Sequence, residues 1–261
     1  MSGENWLNKN WIREDQLYVP KRKVNNRGSN WYAHIIGSFY SEKMNRPVEY
    51  ESLGERLFYY FLELDRDVVR YYVQSVEVPI KEGSGIFGTT TWTHISDVLV
   101  FRQESIPLLY QIKHSSQQGP DDKEQLINKY CNSYALKQGW EYKVIYPKEM
   151  PNQLSWNIRF LQGFLKERTY YDQWMQKVAY RMQCMESGSI EDVSRSFQGD
   201  IDPLLIRPII YFLMARGTFH FDVTERITSH TRVSLNEQML SMKTIREGLP
   251  NNGIQSTESL F

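Results

Sequence analysis

Two neighbouring stretches decide the reading of this chain: His94-Ile95-Ser96-Asp97-Val98-Leu99-Val100-Phe101 and Leu108-Leu109-Tyr110-Gln111-Ile112-Lys113. The first is an almost wholly apolar strand headed by an acid. In the second, alternation puts Leu109, Gln111 and Lys113 on one face and Tyr110 and Ile112 on the other. A turn centred near Glu104 makes the pair an antiparallel hairpin in which opposed residue numbers sum to about 208. Asp97 then faces Gln111, with Cβ atoms roughly 5 Å apart, and Lys113 lies one step further toward the same end. A carboxylate, a carboxamide and an ammonium therefore converge at the open end of a hairpin whose strands otherwise read as buried.

Those residue types suit metal-assisted phosphodiester hydrolysis. Magnesium takes hard oxygen ligands. Asp97 can offer a carboxylate, Gln111 a side-chain carbonyl and Ile112 a backbone carbonyl. Lys113 can stabilise charge developing on the phosphate or orient the attacking water. By themselves these residues are a weak signal and read more readily as the polar end of a solvated hairpin.

Upstream, residues 52–64 read as a helix. Leu53, Leu57, Tyr60 and Leu64 form one stripe, and Glu55, Phe58 and Leu62 form a second on the opposite side. An acid on a packed stripe is a candidate ligand. It also fits a capping box, Ser52-Leu53-Gly54-Glu55, in which it merely closes the helix start.

The remaining elements follow from periodicity. Val73–Ile80 alternates as a strand, and Gly83, Gly85 and Gly88 mark a loop. Residues 95–101 and 107–113 are the hairpin strands, 121–138 a helix, Tyr142–Tyr146 a strand and Asn152–Phe164 a helix. Residues 1–29 read as a polar arm with room for one short helix, and 30–40 as an irregular aromatic strand. Near Tyr171 a second unit is expected. Asp172–Glu186 has helical spacing, Ser189 caps a short helix to Phe197, and Asp202-Pro203 starts a helix that Gly217 stops. Pro208 should kink or split that helix. Thr218–Val223 and Thr231–Leu235 then read as a hairpin, so the order of elements predicts a winged helix over 171–241. From Met242 the sequence predicts a flexible tail.

Composition narrows the classes. The chain has 261 residues, 31 basic and 31 acidic, so no global field would coat DNA. No apolar run reaches the length of a membrane span, and the first twenty residues lack the apolar core of a secretory leader; a cytoplasmic location is the expectation. The two cysteines, Cys131 and Cys184, read as reduced buried thiols, and the five histidines form no zinc-binding pair. Local basic clusters at Lys21, Arg22, Lys23 and Arg27, and at Lys43 and Arg46, are candidate DNA contacts that read equally as a solvated arm.

In order, a helical Glu, a strand, an Asp-headed hairpin and a terminal Lys match the restriction-endonuclease-like core, a mixed sheet flanked by helices. More narrowly, the stretch resembles the TnsA family, the endonuclease subunit of heteromeric cut-and-paste transposases. The resemblance rests on Lys43 and Arg46, Glu51-Ser52-Leu53-Gly54-Glu55, Asp65 and Asp67, Val69 to Gln74, Asp97-Val98-Leu99-Val100 and Gln111-Ile112-Lys113. It covers about residues 30–147 by motif. Ser96 stands where many members have proline, and the loop from Lys81 to Thr93 is glycine- and threonine-rich. The resemblance implies catalytic Glu55, Asp97, Gln111 and Lys113, with two Mg²⁺ ions (Mn²⁺ substituting) held by Glu55, Asp97, Gln111 and the Ile112 carbonyl. It implies cutting of the 5′ strands at transposon ends. Partners would be an integrase-type transposase and an AAA+ ATPase reached through the C-terminal region. A free-standing restriction or repair nuclease of the same core and a non-catalytic DNA-binding scaffold are the competing expectations.

Overall fold

The computed structural model describes residues 6–22, 35–82, 90–116 and 119–235. Lys23, Arg27 and the tail from Met242 lie outside the described residues. The protein is α/β, with a mixed four-stranded sheet flanked by helices. The chain divides into two compact units, one formed by residues up to Arg56 together with Val68–Glu149, the other by Leu57–Asp67 together with residues from Met150. No helix among the described residues is long and apolar enough to cross a membrane.

The first unit begins with α1 (Ile12–Leu17) and a hairpin of β1 (Gly37–Ser41) and β2 (Arg46–Tyr50). Helix α2 (Leu53–Leu64) follows, and the division between units falls within it. The sheet runs β3 (Val68–Glu82), β4 (Thr90–Arg102), β5 (Leu108–Ile112) and β6 (Glu141–Ile145), in spatial order β3-β4-β5-β6. The first two pairings are antiparallel. β5 and β6 run parallel, joined through α3 (Asp122–Lys137). A parallel return needs a crossover, and a helix is its usual form. Asp121 starts that helix by accepting the Glu124 N–H at 2.7 Å.

The hairpin register is the one that a turn centred near Glu104 sets. Val98 faces Tyr110, Leu99 faces Leu109 and Val100 faces Leu108, with Glu104 at φ 52° in the turn. Both faces of β4 and β5 are buried through this region, so a slip by one residue would bury no less apolar surface but would displace Asp97. β3 and β4 reach well beyond the predicted spans. One irregularity matters: Val73 pairs with Val98 and Val76 with Ser96, so Gln74 and Ser75 together stand opposite the single residue Asp97. This is a β-bulge, a device that re-aims side chains beside functional positions.

The expected polar arm is partly an anchor. Trp6 is buried, donates its indole N–H to the Ser105 carbonyl at 3.0 Å, and meets Phe101 edge-on, as does Trp11. Asp15 is held by Arg70 and Tyr72. Aromatic area and these hydrogen bonds outweigh the polar composition that suggested a solvated segment.

In the second unit, α4 (Asn152–Gln162) precedes α5 (Tyr171–Met185), β7 (Ser187–Ser189), α6 (Ile190–Arg195), α7 (Pro203–Ala215), β8 (Phe219–His220) and β9 (Arg232–Leu235). The strands form an antiparallel sheet in the order β7-β9-β8. Ser189 and Asp192 cap α6 reciprocally. α7 is assigned as one helix through Pro208, not split there, because Ile206, Ile209, Ile210 and Leu213 are buried around it. β7 was not foreseen, and the strand after Gly217 is only two residues long. Asn157 explains the shortening: its Nδ2 donates to the Val223 and Glu225 carbonyls and its Oδ1 accepts from the Ile227 N–H, holding that segment as a loop. Cys131 is buried as expected, but Cys184 is exposed. α5 buries Tyr171, Val178 and Met182, and a residue two beyond Met182 points away from that stripe.

Candidate active site

Asp97, Gln111, Ile112, Lys113 and Glu55 belong to the first unit, and the first three are joined directly. Gln111 Nε2 donates to Asp97 Oδ2 at 2.6 Å, and the Ile112 N–H donates to the same oxygen at 2.5 Å. Both of these bonds fall on Oδ2 of Asp97. The Gln111 carbonyl oxygen lies 2.7 Å from His94 Nε2. With the amide nitrogen already donating to Asp97, that oxygen must accept, so His94 carries its proton on Nε2. Sequence reasoning missed His94. Its only signal was a histidine three residues before the acid on the same strand, and strict alternation put the two on opposite faces.

Burial pushes the Asp97 carboxyl up to about 7, and the charge of Glu55 adds to the rise, while the Ile112 N–H, Lys113 and Arg22 oppose it. Burial also raises Glu55, opposed by the Glu51 N–H. It lowers His94, which favours the neutral ring, with the Gln111 bond opposing. Two buried acids near one another, both reluctant to ionise, are a pair that a cation would relieve.

Glu55 is buried and makes the capping contacts: Oε2 accepts from the Glu51 N–H at 2.8 Å, Oε1 from the Ser52 hydroxyl at 3.3 Å, and Ser52 Oγ accepts the Glu55 N–H. The capping reading of this residue is realised, and the cap places the carboxylate where its charge reaches Asp97. The helix start packs close to the hairpin end; a Cβ at Gly54 would lie 3.9 Å from Ile112, an ordinary contact. Leu53, assigned to the packed stripe, is instead exposed.

Lys113 stands just past β5. Its N–H donates to the Ile145 carbonyl, and its ammonium pairs with Glu124 on the first turn of α3 at 2.6 Å. Both side chains keep partial exposure, so this is not the deeply buried ammonium expected from the strand pattern. Glu124 read in the sequence only as an acidic residue at a helix start. Among the basic candidates, Arg22 pairs with Glu51, Lys43 is turned to the Val68 carbonyl at 2.7 Å, and Arg46 lies over the Tyr72 ring at 5.8 Å. The Lys21 N–H donates to the Gln74 carbonyl.

The donor chemistry fits a hard divalent ion in kind: Asp97, Glu55, the Ile112 carbonyl and, after turning from His94, the Gln111 carbonyl are all oxygen. No group of three or more His, Cys, Asp or Glu side chains is arranged to hold a metal among the described residues. A site here would depend on amide and main-chain oxygen for its remaining ligands.

No protein-family model matches the chain, and no curated protein matches it.

Proposed function

We propose that this chain is a magnesium-dependent DNA endonuclease with a restriction-endonuclease-like core and a C-terminal winged helix, acting as a TnsA-like subunit that cuts the 5′ strands at transposon ends. The observation that carries this reading is the buried, ionisation-resistant Asp97 at the hairpin end, bonded to Gln111 and within electrostatic reach of Glu55 and Lys113. Asp97 and Glu55, with Gln111 and the Ile112 carbonyl, would hold Mg²⁺, which when bound activates water and neutralises phosphate charge. Lys113 would direct its ammonium to the phosphate, exchanging its bond to Glu124 for one to the substrate. His94 would hold the Gln111 carbonyl until the ion takes it. In the second unit, the sequence of helix, short strand, two helices and hairpin supports the winged-helix assignment. Helix α7 is apolar and carries only Arg207 between its ends, which supports protein contact at least as much as groove reading. The integrase-type transposase and AAA+ ATPase partners follow from the family resemblance.

A second reading has an observation of its own. Glu55 caps a helix, and Lys113 is paired with Glu124, so the polar groups already satisfy one another as they would in a non-catalytic DNA-binding scaffold. The test is the Lys113→Ala protein in a reconstituted transposition reaction, with strands resolved on denaturing gels. Loss of such an electrostatic group should slow 5′ cleavage about 10²–10³-fold while 3′ chemistry by the transposase continues, leaving products joined to donor DNA. Double-strand excision at the wild-type rate would reject the nuclease reading. Cleavage by the chain alone would favour a free-standing nuclease.

A further inference from the structure

A second polar feature lies in the first unit, on the side of β3 where the bulge opposes Asp97. Arg22, Arg46, Glu49, Tyr71 and Gln74 help to line a cavity of about 130 Å³. Gln74 is 2% exposed, yet its Nε2 has no hydrogen-bond partner among the described residues. An orphaned buried amide donor is costly, because it has lost water and gained no partner. The same residue sits at φ 47°, a backbone region that side-chain-bearing residues adopt only at a cost. Its position is held by the bulge and by its carbonyl, which accepts the Lys21 N–H at 2.8 Å. Gln74, a strained and bulged residue with an unused buried donor, lines the same cavity as two guanidinium groups.

We infer that this cavity is a phosphate subsite for a DNA strand, with Arg22 and Arg46 supplying charge and the Gln74 amide a directed donor. A tetrahedral phosphate group fits the volume. Arg46 has no ion pair among the described residues, and Arg22 shares its charge with Glu51 only at the surface. Glu49 is the one acid in the lining and opposes the anion; the lining itself carries one net positive charge, with Glu51 beside it offsetting Arg22. Arg22 pairs with Glu51, whose N–H donates to Glu55, so the cavity is linked to the candidate active site through that contact. A strand phosphate held here would fix the register of the DNA relative to the acids without reading sequence. The inference rests on the nuclease reading for its purpose, but its test needs no cleavage.

The experiment measures fluorescence anisotropy of a short labelled DNA duplex with the full chain in EDTA, over a range of salt concentrations. Arg46→Ala should weaken binding about tenfold and reduce the salt slope by about one. Gln74→Asn, which tolerates the left-handed backbone but is one carbon shorter, should weaken binding several-fold without changing the slope. Gln74→Gly replaces it should the Asn variant not fold. Glu49→Gln should tighten binding. Unchanged affinity in Arg46→Ala, or in a folded Gln74 variant, overturns the inference. So does an absence of wild-type binding at about 100 µM, the weak end of non-specific DNA affinity. Inorganic phosphate at matched ionic strength should compete poorly; competition as effective as unlabelled duplex would assign the cavity to a free anion and overturn the strand subsite. Loss of cleavage with these affinities intact would count against the nuclease reading alone.

Discussion

Asp97→Asn separates a carboxylate kept for chemistry from one kept for the fold. In the metal-free protein burial raises the Asp97 carboxyl from 3.8 to about 7. The folded state therefore holds a proton across a pH range in which the unfolded chain has released it. Sign follows from that: the favourable contribution of this group is full below about pH 4, declines as pH rises, and is lost above about 7. At about 1.4 kcal/mol per pH unit, the span corresponds to a penalty of at most about 4 kcal/mol at pH 8, less whatever relaxation and water entry recover. Asn cannot ionise, and its carbonyl can still accept from Gln111 and the Ile112 N–H. The variant should be about 2–4 kcal/mol more stable than wild type at pH 8 and nearly equal to it at pH 4. For a protein of this size that is a rise in Tm of roughly 5–15 °C. The assay is thermal and urea denaturation of both proteins in EDTA from pH 4 to 9, repeated with Mn²⁺. Divalent ion should lift the wild type at pH 8 and leave the variant unmoved, while the variant loses cleavage. Parallel pH profiles for the two proteins, or a variant less stable at pH 8, would refute the reasoning.

Three other substitutions probe the surroundings. Glu55→Gln preserves a capping-box side chain, so stability should change by no more than about 0.5 kcal/mol in urea melts, whereas cleavage by the assembled complex should fall about 10–100-fold. Equal cleavage would make Glu55 a cap alone. Gln111→Glu sets a carboxylate against Asp97 and His94; the metal-free protein should melt lower and bind Mn²⁺ more tightly in calorimetry, and no tightening would remove Gln111 from the ligand set. Asn157→Ala strips three hydrogen bonds from the loop between β8 and β9 and should cost about 2–4 kcal/mol, read by urea denaturation and by faster amide exchange at Ile227; unaltered exchange there would show that the loop is held by other contacts.

Much of this architecture was legible in the chain because it is written in local, periodic signals. Alternation in 95–101 and 107–113, with the turn at Glu104, was enough to place Gln111 opposite Asp97. Apolar spacing located α3, and the caps Ser189 and Asp202 located α6 and α7, to within a few residues. Such signals depend on a residue's near neighbours, and side chains two or four positions apart carry them.

What only the tertiary structure decided lies where distant segments meet. The bulge at Gln74–Ser75 depends on how β3 matches β4 across the sheet, and no pattern within Val69 to Gln74 announces an extra residue. His94 reaches Gln111 across the β4–β5 pairing, a contact that spacing along β4 does not announce. Lys113 finds Glu124 only once the crossover folds α3 back along the sheet, and Trp6 becomes core only because Phe101 waits for it. Each depends on a pairing between residues far apart in the chain, whose geometry is set by packing and by the need to satisfy buried polar groups. The sequence by itself determined which groups were available and on which element; the meeting of those elements decided which groups face one another and which remain without a partner.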